Sequence, residues 1–458
     1  MAAPEIAVLS SHRHPRLRYI LGEAGRMLGY QFRLFTEVGG YLKAEVAARI
    51  NYGYKKNEID EVHLFAHPFM LGKAPQTSDL VSSAWSTQRV GKSLTSNFKV
   101  AELPEISHVF FTNPAGNDFD PLAIAFFCLS RYEEYQAFAT DQHGRFPATA
   151  SHAQLNGYLH RPIVNEQFAY LATSLKGVFP KLSAPTPPSA SISLTYDIDL
   201  PYAYRLRSWR GLASGVRDLF TGYSKRTIER VATLLRLQTD PYDVFDQLRE
   251  LHETITIRPT LFWLLAEKRS SFNPNPSPQQ HQLRALIQQT TSWADVGIHP
   301  SYYSSEKPEL IDQERQQLIE ISEQSVRHSR QHFLRFRLPI TYRDLIRAGI
   351  THDHSMGYAD DIGWRAGTNH PFYWYDLEKE AKTHLLIHPF AAMDVTLLRY
   401  KKLAASEVSL ILHNLRTTTI PYGGPFELLW HNSSFASQYG WAGWWDVYKL
   451  FCTELLNK

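Results

Sequence analysis

From residue 190 onward, apolar runs of strand length alternate with amphipathic runs of helix length, and this alternation constrains the fold more than any other feature. The strand-like runs are 192–197, "PTLFWLL" at 259–265, "ADVGIHP" at 294–300, "RQHFLR" at 330–335, "LLIHPFAAMD" at 385–394 and "PFELLWHN" at 425–432. Helical patterns such as "DPYDVFDQLRELHET" and "PELIDQERQQLIEISEQSVRHS" separate them. Strands joined through a helix run parallel, so the expected class is α/β, a parallel sheet or barrel with ligands at the carboxyl ends of its strands. Polar residues at those ends carry the functional reading.

A chain of 458 residues is long for one core, and the clearest break is "SAPTPPSA" at 183–190, where prolines interrupt helix and strand alike. The division expected is a companion domain of unknown function over 1–185 and a second domain over 190–458. In the first, "EIAVLSS" and "ISHVFFTN" read as strands, and "DPLAIAFFCLSRYEEYQAF" and "NEQFAYLATSLKGVF" as helices around the loop-like "DQHGRFPATASHAQLNGYLHRP". This half has no compact catalytic signature.

Four strand ends stand out in the second half. In "SISLTYDIDL", Ile192, Leu194 and Tyr196 alternate with small polar residues before Asp197 and Asp199 arrive two positions apart, on one side of an extended chain. The others are His299 in "VGIHPSYYS", Arg330 with His332 in "SRQHF", and His431 in "ELLWHN". Taken singly, such a His is ordinarily a hydrogen-bonded structural residue and such an acid a helix cap. Gathered by a parallel fold, they suit a divalent metal, zinc or a neighbouring transition metal, which acidifies water and polarises a carbonyl. His388 in "LLIHPF" is a weaker ligand candidate, and "THDHSMGYADD" at 351–361 tempts as another metal cluster but reads chiefly as a strand and loop beside the site.

The net charge of +3 and the lack of a long Lys/Arg block disfavour a nucleic-acid partner. Two distant cysteines, Cys128 and Cys452, exclude a disulfide scaffold and suit a reducing compartment. His12, Arg13, His14 and Arg16 break the N-terminal apolar stretch, and "PLAIAFFCLS" is too short to span a bilayer, so the expectation is a cytoplasmic protein without a transmembrane segment. The many aromatics, among them Tyr373, Trp374 and Tyr375, suit either sugar stacking or core packing. Nothing in the sequence assigns an oligomeric state.

The motifs "LTYDID", "VGIHPSY", "SRQHFL", "MGYADDIGWRAGT", "FYWYDLE" and "LLWHN", with "DPLAIAFFCLSRYEEY" and "GRFPATASHA" before them, resemble the polysaccharide deacetylases, the NodB-homology carbohydrate esterases of family 4 type, and more narrowly a bacterial branch with an extra N-terminal domain. The resemblance implies a deformed (β/α) barrel of fewer than eight strands, with an additional N-terminal α/β domain. It implies a zinc-type metal ion as cofactor and an acetylated saccharide as substrate, losing an N-acetyl or, second, an O-acetyl group. By resemblance Asp197 is the general base, Asp199 and His299 bind the metal, Arg330 orients the base, and His431 is the general acid. The family's second motif has another His four residues after the first, yet position 303 is Tyr. Either water fills that place or another His does, and His332, two residues beyond Arg330, is the candidate. Tyr303, Arg365 and Trp430 are then candidate substrate contacts, Arg365 with a loop-fixing salt bridge as its alternative. Asp394 is a candidate partner of a site histidine from outside the ligand shell.

Two other classes remain open at this level. A nucleotide-sugar glycosyltransferase would use Asp197-x-Asp199 to hold a metal and a diphosphate but leaves the strand-end histidines and Arg330 idle. An inactive carbohydrate-binding relative would explain the missing second His but predicts loss of the base or the acid.

Overall fold

The structure is a computed structural model that describes residues 3–81, 108–116, 118–206 and 224–454. In the N-terminal half β1 (Glu5–Ser10), β2 (Gln31–Phe35), β3 (Ala48–Tyr52) and β4 (Val62–Leu64) form a parallel sheet in the order β2-β1-β3-β4. The helix Pro15–Leu28 links β1 to β2; Pro15 occupies its first turn, where the missing N–H is harmless, and Gly29 ends it at φ +73°. The helix expected from residue 120 begins at Pro121, capped by Asp120, which accepts from Leu122 and Ala123 N–H. It stops at Ser130 because Arg131 turns left-handed (φ +53°). Of the strand expected over "ISHVFFTN", 106–107 lie outside the described residues and 108–113 hold isolated bridges at Val109 and Thr112, the latter to Phe119, with Phe111 at φ +56° breaking the extended path between them.

The C-terminal half contributes β5 (Ser191–Ile198), β6 (Thr260–Trp263), β7 (Asp295–Ile298), β8 (His328–Ser329), β9 (His352–Met356), β10 (Phe372–Asp376), β11 (Ala381–Met393) and β12 (Pro425–His431). All but β10 run parallel in the cycle β5-β6-β7-β8-β9-β11-β12-β5, so seven strands close a barrel. β10 pairs antiparallel on the outer length of β11. The run at 330–335 is not a strand; β8 ends at Ser329, and Phe333 and Leu334 sit at φ +60° and +54°, which an extended chain cannot include. In Tyr373–Tyr375, Trp374 and Tyr375 are buried in the core, with Tyr375 4.9 Å from Tyr19.

Strand alternation sorts the barrel into two faces. Leu194, Tyr196 and Ile198 of β5, with Phe426, Leu428 and Trp430 of β12, bury outward against the surrounding helices. Ser193, Thr195 and Asp197, with Glu427, Leu429 and His431, take the opposite parity and face the interior. Gly297 shows how full that interior is: a Cβ there would lie 2.5 Å from the Phe262 ring. One continuous apolar core joins both halves, and backbone bonds cross between them at Val164 N to Gly367 O (2.9 Å) and Trp364 N to Leu159 O (2.9 Å). Among the described residues no helix is long and apolar enough to cross a membrane.

Candidate metal centre

The register sets the strand ends side by side. His431 pairs with Asp197, Asp197 with Phe262, Trp263 with Ile298, and Ile298 with Ser329. The ladder continues past the strands, with His299 N bonded to Trp263 O and Arg330 N to Ile298 O, both at 3.0 Å. Asp197, Asp199, His299, Arg330 and His431 thus converge at the carboxyl end of the barrel, where a parallel fold puts its ligands.

Asp199, His299 and His332 form a triad whose ligand atoms all lie within 4.8 Å of one another. Asp199 Oδ1 is 3.3 Å from His299 Nε2 and 3.4 Å from His332 Nε2. Oδ1 is buried yet makes no hydrogen bond to either ring. A tetrahedral ion with bonds of about 2.0–2.1 Å holds its ligand atoms roughly 3.3 Å apart, so the orphaned oxygen and the two nitrogens have the spacing such an ion imposes. The other nitrogen of His299, Nδ1, donates to the Arg330 carbonyl at 2.6 Å, which leaves Nε2 as the lone-pair atom. Burial would raise the Asp199 carboxyl, but the imidazoles of His332 and His299 hold it well below the usual range. Donor types and spacing, with the orientation of the His299 ring, fit a zinc-class ion, while His332 Nδ1 is buried without a partner.

His332 reaches the triad by a route other than strand alternation. It opens a 3-10 turn after β8, and its backbone N–H bonds to Pro300 O at 3.3 Å, which draws the turn against the His299 loop. Tyr303, on the turn Tyr302–Ser305 after β7, is 38% exposed and stays outside the triad.

Arg330 is fully buried and points both ways along the barrel interior. Its Nη1 donates to Asp197 Oδ1 at 3.1 Å, its Nη2 to Glu427 Oε1 at 3.0 Å, and its Nε to the His354 carbonyl at 2.9 Å. Phe262 and Phe390 lie over its guanidinium at 4.5 and 5.6 Å. Asp197 Oδ2 is 3.5 Å from His299 Nε2, so both acids of the Asp-x-Asp pair approach the same imidazole. The two are not equivalent, since Asp197 is tied by Arg330 and Asp199 is not.

His431 gives its Nδ1–H to Asp394 Oδ1 at 2.8 Å, and its backbone N–H goes to Oδ2 at 2.7 Å. Burial disfavours charge on the imidazole, but Asp394, then Asp199 and Asp197, lift it to about 10. Its Nε2 is left facing the site.

Two sequence candidates lie elsewhere. Trp430 has the parity opposite to His431; it is 1% exposed and packs 4.8 Å from Tyr448, between barrel and outer helix, so it is no substrate contact. Arg365 is 2% exposed, with Nε and Nη2 on Glu134 at 2.9 and 2.6 Å and Nη1 on the Gly357 carbonyl. It is the salt bridge between halves, with no N–H turned to a substrate. Sequence reasoning missed Glu427 as the second partner of Arg330; its one signal was an acid inside the apolar run of β12.

Comparison with known proteins gives a short record. Residues 6–180 match a family of unknown function, DUF7033. No curated protein matches the chain. Among solved structures it is similar to a Mycobacterium smegmatis protein classed with the polysaccharide deacetylases, at 12% identity and TM-score 0.39, over 60% of this chain and 86% of that one. It is similar to a Bacillus cereus polysaccharide deacetylase at 11% identity and TM-score 0.31, over 58% and 88%. The carbohydrate deacetylase Agd3 aligns at 8% identity and TM-score 0.36, over 99% of this chain and 84% of that one.

Proposed function

We propose that the protein is a metal-dependent hydrolase that removes N-acetyl groups, or second O-acetyl groups, from a saccharide. The observation that carries the reading is the orphaned Asp199 Oδ1 between two imidazole nitrogens at 3.3 and 3.4 Å, flanked by Asp197 and His431. The acetylated sugar is taken from the motif resemblance, and the division of the chain at residues 185–190 from the proline-rich break at 183–190.

Asp199, His299 and His332 would hold a zinc-class ion, which would supply Lewis acidity toward a carbonyl and make nearby water more acidic. The remaining work falls to this chain's own side chains. Arg330 occupies Asp197 Oδ1 and so aims Oδ2 into the site, where it takes the proton of the attacking water. Asp394 holds the His431 ring by Nδ1, so the proton on Nε2 is the one delivered to the departing nitrogen. Two groups with opposite protonation states at one pH are the requirement for such a division of labour. Tyr303, exposed beside the His299 loop, is the substrate contact that this reading retains.

The test is elemental analysis of protein purified without chelators, comparing wild type with Asp199→Ala and His299→Ala, followed by acetate release from N-acetylated and O-acetylated saccharides. The expected result is a transition metal whose content falls by one equivalent in both variants, together with the acetate release. Wild type whose metal content matches both variants even after reconstitution overturns the reading.

A further inference from the structure

Below the strand ends the barrel interior holds a second set of metal-type side chains that the proposed reaction leaves unused. β8, β9 and β11 contribute His328, His352, His354 and His388, which pack as two stacked pairs. The His354 and His388 rings lie 4.2 Å apart with planes 9° from parallel, and His328 and His352 lie 4.4 Å apart at 13°. Each inner ring is bonded edge to edge with an outer one: His354 Nε2 with His328 Nδ1, and His388 Nε2 with His352 Nδ1, both at 2.9 Å. The remaining nitrogen of His354, Nδ1, sits 2.9 and 3.1 Å from the two oxygens of Glu427. A ligand atom from each of His354, His388 and Glu427 lies within 4.8 Å of the other two.

We propose that His354, His388 and Glu427 hold a second divalent transition metal, of the zinc class and structural in role, separate from the strand-end triad. Two imidazoles and a carboxylate are a borderline donor set that selects zinc and its neighbours over magnesium or calcium. The outer rings do what partners of ligating histidines do: His328 and His352 present Nδ1 as acceptors for the Nε2–H of His354 and His388, freeing both inner Nδ1 atoms for the ion. Such an ion needs a shift of tautomer along each pair and a tilt of the stacked His354 and His388 rings that brings their in-plane lone pairs to one point. Burial, reinforced by the neighbouring imidazoles, keeps His354 and His388 well below the ordinary histidine value, so both are in the neutral ligand form.

Charge permits the site as well. Arg330 is the cation nearest Glu427, but it is shared with Asp197, so two carboxylates face one guanidinium and net negative charge remains. Arg330 binds Oε1, while Oε2 accepts from Ser193 Oγ at 3.0 Å and keeps a lone pair toward the histidines. The competing reading is a neutral hydrogen-bonded filler that takes no ion.

The decisive protein is full-length Asp199→Ala/His299→Ala, in which the strand-end triad is dismantled and the histidine block untouched. After equilibration with zinc and desalting it should retain one equivalent by elemental analysis, and X-ray absorption should give a shell of two imidazoles with oxygen. Adding His388→Asn should take the content to zero and abolish the rise in Tm that zinc produces in the parent. Zero equivalents in the parent overturns the proposal even where the triple variant does not fold. Zinc retained equally by both, or a shell with fewer than two imidazoles, overturns it too, by assigning the ion to surface groups.

Discussion

Replacing Asp394 by Asn isolates the charge that sets the protonation of His431. Asp394 is fully buried and grips His431 twice, at the backbone N–H and at Nδ1. Burial alone would lower the imidazole; Asp394 leads the groups that carry it to about 10 from 6.5. Asp199 and Asp197 contribute less, and a cation at Asp199 offsets their share. Without the Asp394 charge, burial, the largest influence on the ring, is left largely unopposed, and the imidazole should settle at or below the ordinary histidine value. A fall of about 3 units corresponds to about 4 kcal/mol of lost interaction. The sign follows directly: the acid works only when protonated, so the variant loses activity as pH rises through its lowered value, while wild type holds it further. At about pH 5 both are largely protonated and the ratio of kcat/KM should be smallest, reflecting mainly orientation. Above about pH 7 it should widen about tenfold per unit until the wild-type limb is reached. Acetate release across about pH 5 to 9 measures this, with an NMR titration of the His431 ring as the direct check. Parallel profiles, separated by a constant factor, would refute the assignment of His431 as the acid tuned by Asp394.

Glu134→Gln removes the carboxylate shared by Arg365 and Arg131 across the two halves. Breaking a buried pair costs about 3–5 kcal/mol, and Arg131 keeps Glu133, so the low end is expected. With an unfolding entropy of roughly 1 kcal/mol/K for 458 residues, calorimetry should read a Tm about 3 °C lower, and a shift under about 1 °C contradicts a coupled interface. Burial depresses His252 to about 4, below the 6.5 of a free His, while Nδ1 bonds the Ile257 carbonyl and Nε2 meets Tyr196 Oη. The unfolded chain binds the extra proton, so His252 contributes stability above about pH 6.5 that is lost toward pH 4, up to about 3 kcal/mol. Denaturant melts at both ends of that range should show a shallower pH dependence in His252→Gln. Gly297→Ala drives a methyl into the Phe262 ring that covers Arg330; a loss of about 1–3 kcal/mol is expected, and an unchanged melt would mean the ring moves freely. Deleting residues 1–185 strips Glu134 from Arg365 and uncovers part of the shared core, so the fragment should be recovered insoluble; a soluble fragment with native Tm argues for independent halves.

What the sequence made legible was what chain direction and alternation control. β5, β6, β7, β11 and β12 are apolar on the outward parity, and that alone located the ends carrying Asp197, Asp199, His299 and His431. β8 was opaque for the opposite reason, and β9 was legible only as a strand and loop over 351–361. β8 is two residues long, and β9 reads "HDHSM", with histidines where a strand ordinarily shows branched apolar residues. His332 was reached by an argument from strand parity that does not hold, because the chain has left the strand; a left-handed Phe333 leaves no mark in the residue pattern. Trp430 was misread because it adjoins the site candidate His431, whereas adjacent strand residues face opposite layers. Glu427 pairs with an arginine 97 positions away, a partnership that closure alone brings about.

Barrels of this kind usually fill their interior with branched apolar side chains. Here the inward parity of β5 and β12 supplies Ser193, Thr195 and Glu427, and that choice follows from Arg330. A fully buried guanidinium must have acceptors for its N–H groups and charge to balance it. Asp197 alone could neutralise it, but Asp197 would then be spent on Arg330 and pulled away from the site. Glu427 takes the second edge and the His354 carbonyl takes Nε, so the arginine is held from below and meets Asp197 through one oxygen only. Oδ2 of Asp197 stays open toward His299. The polar interior is thus the condition under which a buried arginine can hold Asp197 by one oxygen and leave the other free, with Glu427 in turn met by His354 from the far side.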